Sequence, residues 1–326
     1  MTWFERLMGF AETSPEQVRE SIDHVGDFLV SKVNGQRVRC GRLTMPSLAE
    51  LRERSARDSN RGCATVSEVV GDAAQLHLDR DNAGALFQAA SQFNLLEMAG
   101  PSVTPEEGVG IYEFDRTQGP ACAVACGGGT ILRNYFVDVG GQLGQTAGRQ
   151  VDCAAELLAA LGGDRMWNMK NGYALPSEEG LQHAGAQLAA ASEQERDNLR
   201  GLLRVGVQHD VEVLGPGHIV TQVYGSGLPV NYGGGAKELW EPVARLVLEA
   251  SYEATVLVAE ENNINTIYLT LLGGGVFGNE LDWIADALLR AVDVAGPLDI
   301  RIVSYGQSNA RVQQIVNSRA AVGESR

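Results

Sequence analysis

The chain has 326 residues, with 41 Asp and Glu against 26 Lys and Arg and a formal net charge of −15. Its basic residues are scattered and form no run, which excludes a primary role on nucleic-acid phosphates but leaves room for a local anion pocket. A hydrophobic fraction of 44% supplies one large core or two small ones, and no apolar run approaches the length of a membrane span. The five cysteines (Cys40, Cys63, Cys122, Cys126, Cys153) contain no CxxC, and Met1–Phe10 is too short and mixed for a signal peptide. This reads as a cytoplasmic protein with free thiols. The five histidines show no metal spacing, so neither a metal nor another cofactor is expected.

In chain order, Ser14-Pro15 opens a first helix, with Gln17 completing a capping box and Val18, Ile22, Val25 and Leu29 as its apolar stripe. Asn34-Gly35 marks a turn within Val33–Leu43, and Leu48–Arg57 reads as a charged second helix. Residues 1–62 therefore look like a helical N-terminal extension with too little apolar surface for its own core. Ala64–Val70 reads as a strand ending at Gly71-Asp72, and Ala85–Ala90 as a second, with Gln75–Asp81 a polar connection between them. Ser91–Met98 leads to a Pro/Glu/Gly loop, and the small-residue run Pro120–Cys126 feeds a triple-glycine loop, Gly127–Gly129.

Gly140–Gln150 is loop, Val151–Leu161 helix, Trp167–Tyr173 a hairpin, and Glu178–Leu203 helix. Arg204–Leu214 and Ile219–Tyr224 read as strands about the turn Gly215-Pro216-Gly217. Lys237–Glu261 is a long helix with Trp240, Val243, Leu246, Val247, Ala250 and Ala254 as its buried stripe. The β-branched run Ile267–Leu272 is a buried strand. It is followed by Gly273, Gly274, Gly275, Val276, Phe277, Gly278 and Asn279, then by a helix with Leu281, Ile284 and Leu288 at helical spacing. Asn279 is expected to cap that helix, with Asp282 at its third position. A final strand, Leu298–Ser304, ends at Tyr305-Gly306. Glycines after a strand let several N–H groups approach an anion, with Gly274 and Gly275 the expected φ > 0 positions.

Gly273-x-Gly275-x-x-Gly278 matches the dinucleotide fingerprint in form, but only one clear strand follows it, whereas a Rossmann fold places it in the first βαβ unit. There is no GxxxxGK[ST], and Gly225-Ser226-Gly227 is not a GxSxG elbow. Alternating strands and helices make the class α/β, with ligands expected at the carboxyl ends of the strands.

The order of these motifs resembles a divergent macrodomain, the ADP-ribose-binding family. Val69-Val70-Gly71-Asp72 is similar to the family's Gly-Asp turn, and Phe87–Ser91 to its AsnAlaAlaAsn strand end with both asparagines changed. Tyr252–Asn279, a tyrosine helix, a strand and Gly-Val-Phe-Gly, is the best match. The resemblance implies a three-layer mixed sheet flanked by helices over residues 63–310, with insertions, the N-terminal extension before it and a tail, 311–326, after it. It implies Asp72 on the adenine amino group, Tyr305 against adenine, Gly127, Gly128 and Gly129 by the distal ribose, and Gly273–Asn279 around the diphosphate.

The implied function is binding of ADP-ribose, an ADP-ribosylated substrate or a related nucleotide diphosphate; as an enzyme the chain would hydrolyse an ADP-ribosyl bond. The alternative is a non-catalytic sensor or interaction module for ADP-ribose or NAD-derived metabolites. Neither a nucleic-acid nor a membrane partner is implied. Ser91 stands where macrodomain hydrolases place an asparagine, with Asn94 just beyond and Glu97 as a candidate base beside Asp115 and Asp138. The Gln-Glu-Glu run that poly(ADP-ribose) glycohydrolases carry after their glycines is missing after Gly129.

Overall fold

A computed structural model describes residues 1–55 and 63–323. Seven strands form the central mixed sheet: β1 (Arg42–Thr44), β2 (Thr65–Val70), β3 (Leu86–Ala90), β4 (Gly206–Glu212), β5 (Ile219–Gly225), β6 (Thr266–Thr270) and β7 (Asp299–Ser304). Their spatial order is β1-β4-β5-β3-β6-β7-β2. Strands β5, β3, β6, β7 and β2 are mutually parallel, while β4 runs antiparallel to both β5 and β1. The five parallel strands therefore deliver their carboxyl ends to one edge.

Successive residues of β3 show the layers. Phe87 stacks on His77 of the helix Ala73–Leu78, while Gln88 donates to Thr255 of the helix Lys237–Glu261. Neighbouring side chains on a strand point to opposite faces, so these helices cover the two sides. The long helix takes the bounds its periodicity predicts, and it packs on Leu281–Val294.

His77 is wholly enclosed, and burial lowers its pKa to about 4. Its Nδ1 lies 2.7 Å from the Ala73 carbonyl, and Gln222 Nε2 donates to its Nε2 at 3.0 Å, so the ring sits as the neutral tautomer. Below pH 6.5 the unfolded chain takes up this proton and the folded chain does not. Stability from this group is thus full above pH 6.5 and falls by about 3 kcal/mol as pH drops to 4. Urea unfolding at pH 7 and pH 4.5 should show a smaller acid loss in His77→Gln than in the parent.

Several local expectations change. The first helix, Pro15–Ser21, stops before Ile22, because Ile22–Val25 pairs with Phe28–Ser31. Ser14 caps it, but Gln17 reaches back to the Thr13 N–H, so the capping box does not close on Ser14. Leu48–Ser55 forms the second helix; its expected end at Arg57 lies outside the described residues. The expected polar connection, Gln75–Asp81, overlaps the helix Ala73–Leu78, and Val151–Leu161 is helical only over Ala155–Ala160. Glu178–Leu203 is two helices, broken at Ala191 where Ser192 starts a new capping box. The triple glycine is not a loop but the helix Gly127–Ile131.

The first 55 residues are bound into the body. Strand β1 lies at the sheet edge, and Trp3, Phe4, Met8, Val18, Ile22 and Leu29 build a second apolar cluster with Leu96, Met98, Tyr112 and Ile131. They supply one side of a shared core, which counting the region's apolar residues in isolation could not show. The C-terminal stretch is helical over Ala310–Gly323. Glu68 of β2 anchors it, accepting hydrogen bonds from the Asn309 N–H at 2.7 Å, Ser304 Oγ and Ser308 Oγ at 2.6 Å, and the Gln313 amide. Burial opposes its charge, but these donors outweigh burial and hold its pKa down at about 2.

Candidate active site

A cleft of about 580 Å³ opens at the carboxyl edge of the parallel strands. Each strand end contributes a segment to it. Gly71-Asp72 follows β2, Ser91-Gln92 follows β3, Gly227 follows β5, Leu271–Phe277 follows β6 and Tyr305 follows β7.

Asp72 caps the helix Ala73–Leu78, its Oδ1 accepting the Ala74 N–H at 2.8 Å. Tyr305 is 79% exposed just past the end of the neighbouring strand β7, with Asn309 on the same rim.

The glycine stretch turns sharply off β6. Its left-handed residues are Gly273 (φ +72°) and Gly278 (φ +77°), not Gly274 and Gly275. The reason is positional. Gly273 lies where a Cβ would come within 3.3 Å of the Gly227 backbone, and Gly278 re-aims the chain into the following helix. Within the loop, Gly274 N–H bonds Leu271 O, Gly278 N–H bonds Gly275 O, and Asn279 N–H bonds Gly273 O. Among the described residues, the N–H groups of Gly275, Val276 and Phe277 have no acceptor. These are three consecutive free donors on a segment that lines the cleft, and a Cβ on Gly275 would meet nothing within 4 Å. The Phe277 ring closes the far side against Tyr173 and Tyr232, at centroid distances of 5.4 and 5.8 Å. Asn279 does not cap the helix Leu281–Val294, where Glu280 takes the cap position. Its amide instead ties two loops together.

Glu97 is the other carboxyl group in the lining of the cleft. It is 4% exposed and lines the cleft, and its Oε1 has no partner among the described residues. Burial raises its pKa well above the carboxylate range; the nearby Arg133 charge opposes the rise and Asp115 adds to it. Arg133 is itself buried, its Nε donating to Leu95 O at 3.0 Å and its guanidinium 3.7 Å over the Tyr224 ring. Leu95 pays for this arrangement with a left-handed φ of +64°, a strained backbone two residues before the carboxylate. Gly119, in the first turn of the helix Gln118–Ala125, leaves room for the acid: a Cβ there would fall on the Glu97 carboxylate and 2.5 Å from the Ala90 carbonyl oxygen.

The expected residues thus divide. Asp72, Ser91, Glu97, Gly273–Phe277, Asn279 and Tyr305 line one cleft. Asn94 does not; it is buried, with Nδ2 on Gln150 at 2.8 Å and Oδ1 on the Leu96 N–H at 3.1 Å. Gly127, Gly128 and Gly129 are also buried away from the cleft, where Trp3, the Arg39 backbone and Gln208 press on their missing side chains. Ser91 faces the cleft but its hydroxyl donates to Gln92 O at 2.9 Å. The sequence reading missed the segment Arg116–Ala121 on the cleft wall, for which the small-residue run GPACA was the only signal.

Among the described residues, no group of three or more His, Cys, Asp or Glu could hold a metal ion, and no helix is long and apolar enough to cross a membrane. No family model and no curated protein matches the chain. Among solved structures it is similar to poly(ADP-ribose) glycohydrolase from Thermomonospora curvata, at 12% identity and a TM-score of 0.46 over 93% of this chain and 95% of that one. The same enzyme bound to the inhibitor ADP-HPD gives 12% identity and a TM-score of 0.42, with the same coverage. The Deinococcus radiodurans poly(ADP-ribose) glycohydrolase in complex with ADP-ribose gives 13% and 0.45 over 87% of this chain and 94% of that one.

Proposed function

We propose that the chain binds ADP-ribose, or a related nucleotide diphosphate, in this cleft and hydrolyses an ADP-ribosyl linkage. The observation that carries the reading is that three consecutive free N–H groups, Gly275–Phe277, and a buried carboxyl group, Glu97, line one cavity. The sequence resemblance to macrodomains supplies the ligand class. Asp72 takes the adenine amino group, Tyr305 covers the base, and the free loop N–H groups take the diphosphate. Glu97 acts as the acid: burial favours its protonated form, and it gives its proton to the leaving atom as the glycosidic bond breaks. Its carboxylate then takes a proton from the water that adds to the sugar carbon. The protein works in the cytoplasm in this reading, consistent with the buried free thiols of Cys40, Cys122, Cys126 and Cys153.

A second reading is a sensor that binds without turnover. It is favoured by the state of the polar groups after β3: Ser91 Oγ is turned to Gln92 O, and Gln92 spends its amide on Met98. Calorimetric titration with ADP-ribose, AMP and NAD tests the ligand class; release of ADP-ribose from an ADP-ribosylated protein separates enzyme from sensor.

The adenine contact has its own test. Asp72→Asn keeps a good helix cap but replaces the accepting oxygen and its charge. We expect ADP-ribose binding to weaken by about 1.5–3 kcal/mol with the melting temperature unchanged. Equal affinity in calorimetry removes Asp72 from the site.

A further inference from the structure

We propose that Arg133 is a positioning residue for Glu97, the buried counter-charge that steadies the Glu97 carboxylate once its proton has left; the inference rests on the hydrolase reading proposed above. Arg133 is 1% exposed, and its three side-chain hydrogen bonds all go to uncharged oxygens: Leu95 O at 3.0 Å, Thr130 Oγ1 at 3.1 Å and Gln208 Oε1 at 3.4 Å. Its guanidinium lies 3.7 Å from the centre of the Tyr224 ring, and it forms no ion pair among the described residues. A cation buried without a carboxylate partner is costly, so its retention calls for a use.

Local departures from ordinary backbone bring this charge in. Gly127, Gly128 and Gly129 let their helix press on Trp3, the Arg39 carbonyl and Gln208; a Cβ on any of them would fall within 2.9 Å of those groups. The next turn, Leu132–Phe136, is π-helical, a rare form that recurs at functional sites. Leu95 takes its left-handed φ where its carbonyl accepts Arg133 Nε. Two residues on, the Glu97 N–H donates to the Tyr112 hydroxyl at 3.0 Å, and Gln92 holds both the N–H and the carbonyl of Met98. Arg133 therefore fixes the start of the turn that carries Glu97 as well as supplying a charge.

Few charges act on Glu97. Arg133 favours its carboxylate and Asp115 opposes it, with Asp115 Oδ1 already engaged by the N–H and Oγ1 of Thr117. Tyr112, Cys122, Tyr173 and Tyr224 also feel its charge, but burial raises the pKa of each, so all four are neutral. When the glycosidic bond breaks, its electron pair goes to the leaving atom, the Glu97 proton follows, and a carboxylate is left behind. Before the transfer the buried pair carries one positive charge, and after it none. A fixed cation near the developing charge stabilises that step without reorganising. When water adds to the sugar carbon, its surplus proton returns to the carboxylate.

The test follows Glu97 directly by NMR with carbon-13-labelled glutamate, its signal assigned through Glu97→Gln, in the parent, Arg133→Gln, Arg133→Met and Arg133→Lys. Single-turnover release of ADP-ribose against pH, calorimetric binding and thermal melting are measured on the same proteins. Losing the cation should raise the Glu97 titration midpoint by about one pH unit or more and move the basic limb of the release profile up with it. Release below that limb should slow by about tenfold, with ADP-ribose affinity near the parent's. Lysine, which keeps the charge, should restore the midpoint. A merely structural arginine gives the opposite sign, because loosening the site lets water in and lowers the midpoint. A folded neutral variant whose midpoint stays or falls overturns the inference, as does failure of both neutral variants to fold; in either case a parent that releases ADP-ribose leaves the hydrolase reading standing. A parent that binds ADP-ribose without releasing it overturns that reading and this inference with it.

Discussion

Glu97→Gln should lower the turnover of an ADP-ribosylated protein by about 10²–10⁴-fold while leaving ADP-ribose affinity close to the parent's. The substitution keeps the volume of a side chain that is almost wholly enclosed, and it removes the acidic proton that burial favours. The pH dependence follows from the direction of the shift. The active form is the protonated one, so parent activity should fall as pH rises past the raised pKa. Single-turnover release of ADP-ribose, measured beside calorimetric binding, separates the two effects. If the glutamine variant turns over like the parent, Glu97 is not the acid. If neither turns over while both bind, the sensor reading takes its place.

Gly275→Glu should abolish ADP-ribose binding in a folded protein. The Cβ direction at Gly275 points into open space, and its φ is not left-handed, so neither a clash nor backbone strain opposes a side chain there. The new carboxylate would stand over the free N–H groups of Gly275, Val276 and Phe277 and repel the diphosphate by charge as well as bulk. We expect at least a hundredfold loss, equal to about 2.7 kcal/mol, with circular dichroism and melting temperature near the parent's. Phe277→Ala should cost less, because two tyrosines already hold that wall. A folded Gly275→Glu variant with parental affinity would remove the diphosphate from the loop.

Much of the frame was legible because its signals are local. The long helix shows its buried stripe in its own letters, and the strand-to-glycine turn after β6 is spelled out by a β-branched run and three glycines. The two triple glycines show where such reading stops. They look alike in sequence, yet Gly273–Gly275 shapes an open cleft, while Gly127–Gly129 is small because Trp3, Arg39 and Gln208 crowd a helix. Those neighbours lie far away in the chain, so nothing local distinguishes the cases. The same holds for Glu97. Its residue type suggested a base, but its burial depends on Tyr112, Gly119 and Arg133, which come together only in the folded chain. Asn94 resembled a catalytic amide by position alone, and its side chain is spent on Gln150 and the Leu96 N–H.

Leu96 and Met98, the residues on either side of Glu97, belong to the apolar cluster built with Trp3, Phe4 and Met8, while Ala73 beside Asp72 and Leu272 before the glycine loop belong to the core of the large sheet. The cleft is therefore a seam between two hydrophobic bodies. In the proposed function the large-sheet core carries Asp72 and the start of the glycine loop, while the second cluster flanks Glu97 and packs Phe277, and the chain's first turn of helix belongs to the second. Cooperative units of this kind open with different free energies. Under the proposed function, loosening the N-terminal body would disturb the placement of Glu97 more than that of Asp72, so a change at Trp3, far from both in the sequence, would cost turnover before it costs binding.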